Sequence, residues 1–296
     1  MQKQVIKQWD EYYTYFVVLL CIFCRFTQIS CNSAAIFINL PLFPLKNKPM
    51  SVNLCIDWGN TNVKAAIFDN DILKSQYAFS GEVALEKVSG LMDAYKAEKA
   101  ILCSVTDHND ELTHLIKSRI RSMVMLDGYT RTPINNAYLS AATLGPDRLA
   151  MVCGAFAASP DKTNLVIGAG TCVTYNLLQK NKTFRGGAIA PGLHMRLKAM
   201  NAFTDKLPEV ELNGDLLLLG YDTETCMRSG AVYGMAAEID GMISAYAAQY
   251  PDFNAILTGG DAPFLATKIK SKIFADPDVL LKGLNLILNY NVSTTR

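Results

Sequence analysis

The sequence predicts an α/β protein made of two related halves, each a mixed sheet with helices, facing one another across a cleft. Three observations predict it. β-Prone apolar runs at residues 52–56 and 65–68 flank the short stretch Asp57-Trp58-Gly59-Asn60-Thr61-Asn62-Val63-Lys64. The same strand, Gly/Thr turn, strand pattern returns at residues 164–176. After each copy the chain continues into a third strand and then into helical stretches and a further strand.

Two β-prone runs joined by a short turn read as a hairpin, and Gly59, Asn60 and Asn62 are residue types that tolerate positive φ. Such a turn is rich in free backbone N–H groups. Together with the Thr61 hydroxyl and the Lys64 ammonium these can surround a phosphate, while Asp57 can hold Mg²⁺ directly or through water. The same residues also fit an ordinary hairpin with one exposed acid and a solvated lysine, because the pattern is not the Walker loop. A third strand follows at 72–79. Residues 82–96 carry Leu85, Val88, Leu91, Met92 and Tyr95 at helical spacing, and 100–105 is the continuous apolar run of a buried parallel strand. A helix at 110–121 and a short strand at 123–126 complete the half.

A polar loop at 127–145, carrying Pro133, Asn135, Asn136 and Tyr138, leads to Leu144-Gly145-Pro146-Asp147-Arg148. Asp147 starts a helix whose apolar side includes Leu149, Val152, Ala155 and Phe156. Proline in the first turn and a carboxylate beside the positive end of the macrodipole are good helix-starting chemistry in their own right. Lying between the two turn units, the same carboxylate is also a candidate to accept the proton of an attacking hydroxyl in phosphoryl transfer. The second unit adds a strand at 183–190, a long helix at 223–250 and a late strand at 254–258. That strand ends in Thr258-Gly259-Gly260-Asp261, where paired glycines let a nucleotide approach the backbone.

Composition narrows the field further. With 296 residues, half of them apolar, the chain can bury a substantial core. The 28 Lys plus Arg against 27 Asp plus Glu form no long block, which argues against broad nucleic-acid binding and an electrostatic membrane anchor. Eight cysteines are scattered, and Cys55, Cys103, Cys153 and Cys172 lie inside apolar runs, as reduced thiols of a cytoplasmic protein would. Cys21 and Cys24 form a lone pair without zinc spacing elsewhere. His108, His114 and His194 read as surface or packing residues, and Met195, Leu197 and Met200 as helix packing. Residues 1–49 are compositionally foreign. Their apolar run at 15–24 is about half the length a helix needs to cross a bilayer. The expected organisation is an artefactual or disordered extension over 1–49, then domains at 50–160 and 161–296.

Asp57 to Lys64, Gly145-Pro146-Asp147-Arg148, Gly170-Thr171, Gly186-Gly187-Ala188-Ile189-Ala190-Pro191-Gly192 and Thr258-Gly259-Gly260-Asp261 occur in this order. With them the sequence resembles the type III pantothenate kinase family over residues 50–292. The resemblance implies the duplicated actin-like, ribonuclease H-like fold of the acetate and sugar kinase/Hsp70/actin superfamily, as a homodimer with the pantothenate pocket at the subunit interface. It implies ATP-dependent phosphorylation of pantothenate to 4′-phosphopantothenate, the first step of coenzyme A biosynthesis, with Mg²⁺ and a monovalent cation, K⁺ or NH₄⁺. By motif, Asp57, Trp58, Gly59, Asn60, Thr61, Asn62, Val63 and Lys64 resemble the first ATP loop, and Thr171 an ATP contact in the second. Tyr138, Gly145, Pro146, Asp147, Arg148 and Thr223 resemble the pantothenate contacts, with Asp147 as proton acceptor. The family's usual Asp is replaced by Gly168, which offers a cation only a carbonyl oxygen, so that site is weakened, rebuilt or lost. A non-catalytic nucleotide-binding or regulatory protein on the same fold, or another small-molecule kinase, are the competing readings.

Overall fold

The structure, a computed structural model, describes residues 51–105, 110–250 and 252–293; the 1–49 segment with Cys21 and Cys24, and His108, lie outside the described residues. The first sheet comprises β1 (Val52–Trp58), β2 (Val63–Asp69), β3 (Ile72–Phe79), β4 (Lys99–Ser104) and β5 (Ser122–Leu126), in the order β3-β2-β1-β4-β5. The first three strands are an antiparallel meander, and β4 and β5 add in parallel on the other side of β1. Helix α1 (Ala84–Tyr95) returns the chain to β4, and α2 (Asp110–Arg119) lies between β4 and β5. Four consecutive buried residues, 53–56, mark β1 as a central strand covered on both faces.

The second sheet runs β11-β10-β7-β8-β9-β6, from β6 (Asn135–Asn136), β7 (Thr163–Ala169), β8 (Cys172–Leu178), β9 (Thr183–Pro191), β10 (Phe253–Thr258) and β11 (Phe274–Ala275). Again a three-strand antiparallel meander carries two parallel strands beside its first member. The order 9-8-7-10-11 repeats 3-2-1-4-5, so the duplication legible in the two turn motifs is real at the level of topology. The helices of this part are α3 (Pro146–Ala158), α4 (Leu193–Ala202), α5 (Thr223–Gln249), α6 (Ala262–Ala266) and α7 (Val279–Ser293).

Strand parity divides the apolar residues. On one face of the first sheet Leu54 and Ile56 pack with Val88 of α1 and with Leu112 and Ile116 of α2. On one face of the second, Leu165, Ile167 and Tyr175 pack with Val232, Met235 and Ile239 of α5. The opposite faces of both sheets contribute Cys55, Phe68, Ile101, Val166 and Phe184 to a single core built around α3 and α7. Every residue of α3 from Arg148 to Ala155 is buried. Helix α7 was not among the elements expected from the sequence, yet it packs on α3 so closely that both crossing points need glycine. A Cβ on Gly154 would lie 1.9 Å from the Val279 carbonyl oxygen, and one on Gly283 would lie 1.8 Å from that of Ala150.

Asparagines tie α7 to the start of β1. Buried Asn53 donates through Nδ2 to Asn285 Oδ1 (2.7 Å) and Asn289 Oδ1 (3.0 Å), and Asn285 donates to the Asn70 carbonyl (2.8 Å). Cys55, Cys103 and Cys153 are buried free thiols, as expected, whereas Cys172 is half-buried. Among the described residues no helix is long and apolar enough to cross a membrane.

Gly154→Ala is expected to lower unfolding free energy by about 1–3 kcal/mol through forced separation of α3 and α7. Gly90→Ala, on the exposed side of α1 with no atom within 4 Å of the added carbon, is expected to raise it by up to about 1 kcal/mol. Urea denaturation compares them, and a Gly154→Ala protein as stable as the natural one would refute the close helix contact.

Candidate active site

Asp57 stands near the C-terminal end of β1, directly across the hairpin from Lys64 and beside Cys103 on parallel β4. Its carboxyl pKa is pushed up to about 6, first by burial and then by the negative charge of Asp147; Lys64 and a hydrogen bond from the buried Cys103 thiol pull the other way. The first turn of α3 is therefore close enough to β1 for two carboxylates to repel one another.

Asp147 is held there by local chemistry. Pro146 opens α3 where an N–H would have no helical partner, and Gly145 is the N-cap residue. A Cβ on Gly145 would sit 2.5 Å from Asp147 Oδ1, so the carboxylate folds back over the helix start into space that only glycine leaves open. Burial raises the Asp147 pKa; the backbone N–H groups of Arg148 and Asp147 and the Arg148 guanidinium oppose that rise.

Arg148 serves the second sheet. It is 4% exposed, and its Nε donates to Asn176 Oδ1 on β8 at 2.6 Å. Asn176, wholly buried, donates in turn to the Val166 carbonyl (3.2 Å) and to Thr174 Oγ1 (3.0 Å). The guanidinium lies 5.4 Å from the centroid of the Tyr138 ring, which stacks on Phe184. Gly186, at φ +113°, makes room for that ring, since a Cβ there would come within 2.8 Å of it. The ion pairs among the described residues do not include Arg148.

The first hairpin turn differs from expectation in one respect. Gly59, Asn60 and Asn62 do not have positive φ, which occurs instead at Asn70, Gly186, Gly187 and Gly259 among others. The first turn closes with ordinary backbone by a bond from the Gly59 N–H to the Asn62 carbonyl (3.1 Å), which engages one of the expected free donors. Asn60, Thr61 and Asn62 are exposed at its tip. Trp58 is half-buried with its indole against Gly81, Val63 is fully buried, and Lys64 is half-buried.

The second turn, Gly170-Thr171, is hemmed in by two loops. The Gly192 N–H donates to the Thr171 carbonyl (3.1 Å), and the Asp261 N–H to that of Ala169 (3.1 Å). Gly259, at φ +103°, approaches Ala169 so closely that a Cβ would meet its carbonyl at 2.0 Å. Thr171 itself is exposed. Thr223 is exposed at the first residue of α5, and no hydrogen bond among the described residues ties it to Tyr138, Asp147 or Arg148. Asp57, Lys64 and Asp147 thus come together, as do Tyr138 and Arg148.

Sequence reasoning gave no role to Asn176 or to Cys103 beyond packing. Both lie in strands, and their partners become visible only once the strand register and the direction of α3 are known. Asp57 suits Mg²⁺, which commonly takes one or two carboxylates and fills its remaining positions with water and phosphate oxygens. A cation there would also relieve its repulsion from Asp147. The side chain that Gly168 lacks would be crowded here. A Cβ at that position would lie 2.9 Å from both Met151 Sδ and Thr174 Oγ1, so a carboxylate there would require the Met151 thioether to shift.

The twofold meander with parallel additions, and a helix start bridging the two sheets, define an actin-like α/β protein. Two solved structures share the fold. One is described as a conserved putative Baf family transcriptional activator from Campylobacter jejuni (TM-score 0.53, 21% identity, covering 81% of this chain and 99% of that one). The other is (R)-2-hydroxyglutaryl-CoA dehydratase component A of Acidaminococcus fermentans (TM-score 0.50, 12% identity, 83% and 100% covered). The family model for type III pantothenate kinase matches residues 53–245. Proteins named type III pantothenate kinase from Phocaeicola vulgatus and Christiangramia forsetii are 41% and 39% identical over 240 and 241 residues, covering 81% of this chain and 99% of each relative. The chain belongs to the type III pantothenate kinase family.

Because the folded pKa of Asp57, about 6, lies above its ordinary 3.8, the carboxyl contributes stability that is full below 3.8 and lost as pH rises through 6. In metal-free protein, Asp57→Asn is expected to match the natural chain near pH 4 and to exceed it by on the order of 1–3 kcal/mol at pH 7.5. Urea unfolding at several pH values measures the gap, and a gap independent of pH would acquit this carboxyl.

Proposed function

We propose that the protein transfers the γ-phosphoryl group of ATP to the primary hydroxyl of pantothenate, giving 4′-phosphopantothenate and ADP at the start of coenzyme A synthesis. The observation that carries this reading is the seating of Asp147 by Gly145 at the helix start beside Asp57. In the reaction the hydroxyl oxygen forms a bond to the γ-phosphorus, the bond from that phosphorus to the β,γ-bridging oxygen breaks, and the hydroxyl proton passes to Asp147. Burial raises the pKa of Asp147 and so brings its basicity nearer the working pH. The residues from Asp57 to Lys64, with Thr171, cradle the phosphates, and Asp57 holds Mg²⁺. When bound, Mg²⁺ would supply positive charge that offsets the charge developing on the transferred phosphoryl group.

Tyr138, Gly145, Pro146 and Arg148 form the substrate side in this reading. Arg148 leans on the neutral Asn176, which leaves its charge for the carboxylate of pantothenate. Thr223 joins them in a homodimer. The exposed Leu217, Leu218, Leu219 and Tyr221, just before α5, support an apolar face that a second copy covers. The halves divide near residue 160, after α3, and the free thiols fit a cytoplasmic location.

Asp147→Asn is expected to lower kcat by about 10²–10⁴-fold while ATP still binds, read by a coupled ADP assay and calorimetry. Robust turnover by that variant would remove Asp147 from the role of base. ATP binding by the natural chain without turnover at any K⁺ or NH₄⁺ concentration would favour a non-catalytic nucleotide-binding protein instead. Gly168→Asp alone is expected to gain no K⁺ response, because Met151 and Thr174 occupy the space. Gly168→Asp combined with Met151→Ala is expected to gain one, and a K⁺ titration of both variants decides it.

A further inference from the structure

We propose that Arg196 and Glu238 are positioning residues for ATP, bracing the Gly170-Thr171 turn from behind through the Pro191-Gly192 segment. The inference rests on the reading of that turn as a phosphate contact and adds the side chains that hold it in place.

The end of β9 is supported from outside its sheet. Pro191 is the last residue of β9 and lies opposite Cys172, the first residue of β8. Proline has no N–H to give to the ladder. The next residue makes the contact instead. The Gly192 N–H donates to the Thr171 carbonyl (3.1 Å), and a Cβ on Gly192 would lie 2.1 Å from the Gly170 carbonyl oxygen. Gly192 is buried against the turn, so a displacement of its backbone displaces Thr171 as well.

Arg196, in the first turn of α4, fixes that backbone. Its Nε donates to the Pro191 carbonyl (2.8 Å), and its main-chain N–H donates to the Gly192 carbonyl (3.0 Å). Glu238 on α5 holds the far end of the guanidinium. Arg196 Nη2 donates to Glu238 Oε2, and the Tyr175 hydroxyl of β8 donates to Oε1 (2.9 Å). Burial, and then that hydrogen bond, hold the Tyr175 phenol well above its usual range, so it stays protonated and a donor.

Both oxygens of one carboxylate are therefore engaged, and the Arg196 and Glu238 side chains are only 21% and 29% exposed. A planar guanidinium held at two points fixes direction as well as distance. The brace ends on the second turn, whereas Tyr138 and Arg148 are held by Phe184 and Asn176. Misplacing a binding group by about 1 Å can cost on the order of 10²-fold. Loss of the brace is thus felt by the phosphates and spares pantothenate.

The test is calorimetric titration of the full chain with ATP and Mg²⁺ and, separately, with pantothenate. Arg196→Met, which keeps the side chain's length without its donors, is expected to weaken ATP about tenfold or more and to leave pantothenate affinity unchanged. Glu238→Gln is expected to weaken ATP by a smaller factor. The double variant is expected to lose no more than Arg196→Met alone, because Glu238 acts through Arg196. Unchanged ATP affinity in Arg196→Met, or in Glu238→Gln should Arg196→Met fail to fold, would overturn the proposal. So would equal loss of both ligands, which marks a general loosening, or additive losses in the double variant. Each of these leaves the turn as a phosphate contact. Failure of the natural chain to bind ATP would overturn that reading and this one together.

Discussion

Two carboxylates that repel one another are held within electrostatic reach, and neither is fully solvated. Asp57 is fixed by the register of β1 with β2 and β4, and Asp147 by the first turn of α3. Such a pair does not form by its own preference. The packing of α3 imposes it, with eight consecutive residues buried and two glycine-on-carbonyl contacts against α7. Burial of apolar surface along a whole helix can outweigh the electrostatic cost of a few kcal/mol at one end of it. The local devices are small: a glycine that leaves space for a carboxylate, a thiol that donates to its neighbour, and a lysine across the hairpin.

Adjacent residues of α3 then divide their labour between the two sheets. Asp147 faces the first through Asp57, and Arg148 reaches into the second through Asn176. Because Asn176 is neutral and its amide is already engaged with β7 and with Thr174, Arg148 is oriented without having its charge cancelled. Tyr138, stacked on Phe184 and admitted by the left-handed Gly186, supplies the flat surface beneath the guanidinium. Arg148 makes no ion pair within 4 Å among the described residues, though its charge still acts on Asp147.

Much of this was legible in the sequence, because it depends on short-range patterns. The two hairpins, their third strands, the parallel strand β4 and the long helix α5 follow from alternation, apolar runs and turn residues, and their bounds agree within a few residues. The start of α3 was legible from Pro146 and Asp147. What escaped depends on contacts between distant parts of the chain. Helix α7 has a plain apolar spacing, but nothing local says that it docks on α3 and β1. Asn176 and Cys103 look like strand residues until register sets Arg148 and Asp57 beside them. The composition of the first turn suggested left-handed backbone, and the structure closes it without any. Gly168 could be recognised as a departure from the sequence, whereas the side chain that fills its place, Met151, comes from another element.

The placement of α7 has a consequence for how the molecule is made. It follows every strand of both sheets in the chain, yet its partners are α3 and the asparagine on the first strand. While the ribosome is still producing the second sheet, the first sheet and the acid-bearing helix lack the surface that completes their core. Nascent chains therefore expose part of α3 until α7 arrives, and a premature stop codon shortly before residue 279 would leave that apolar face open to chaperones and proteases while every motif upstream remained in place.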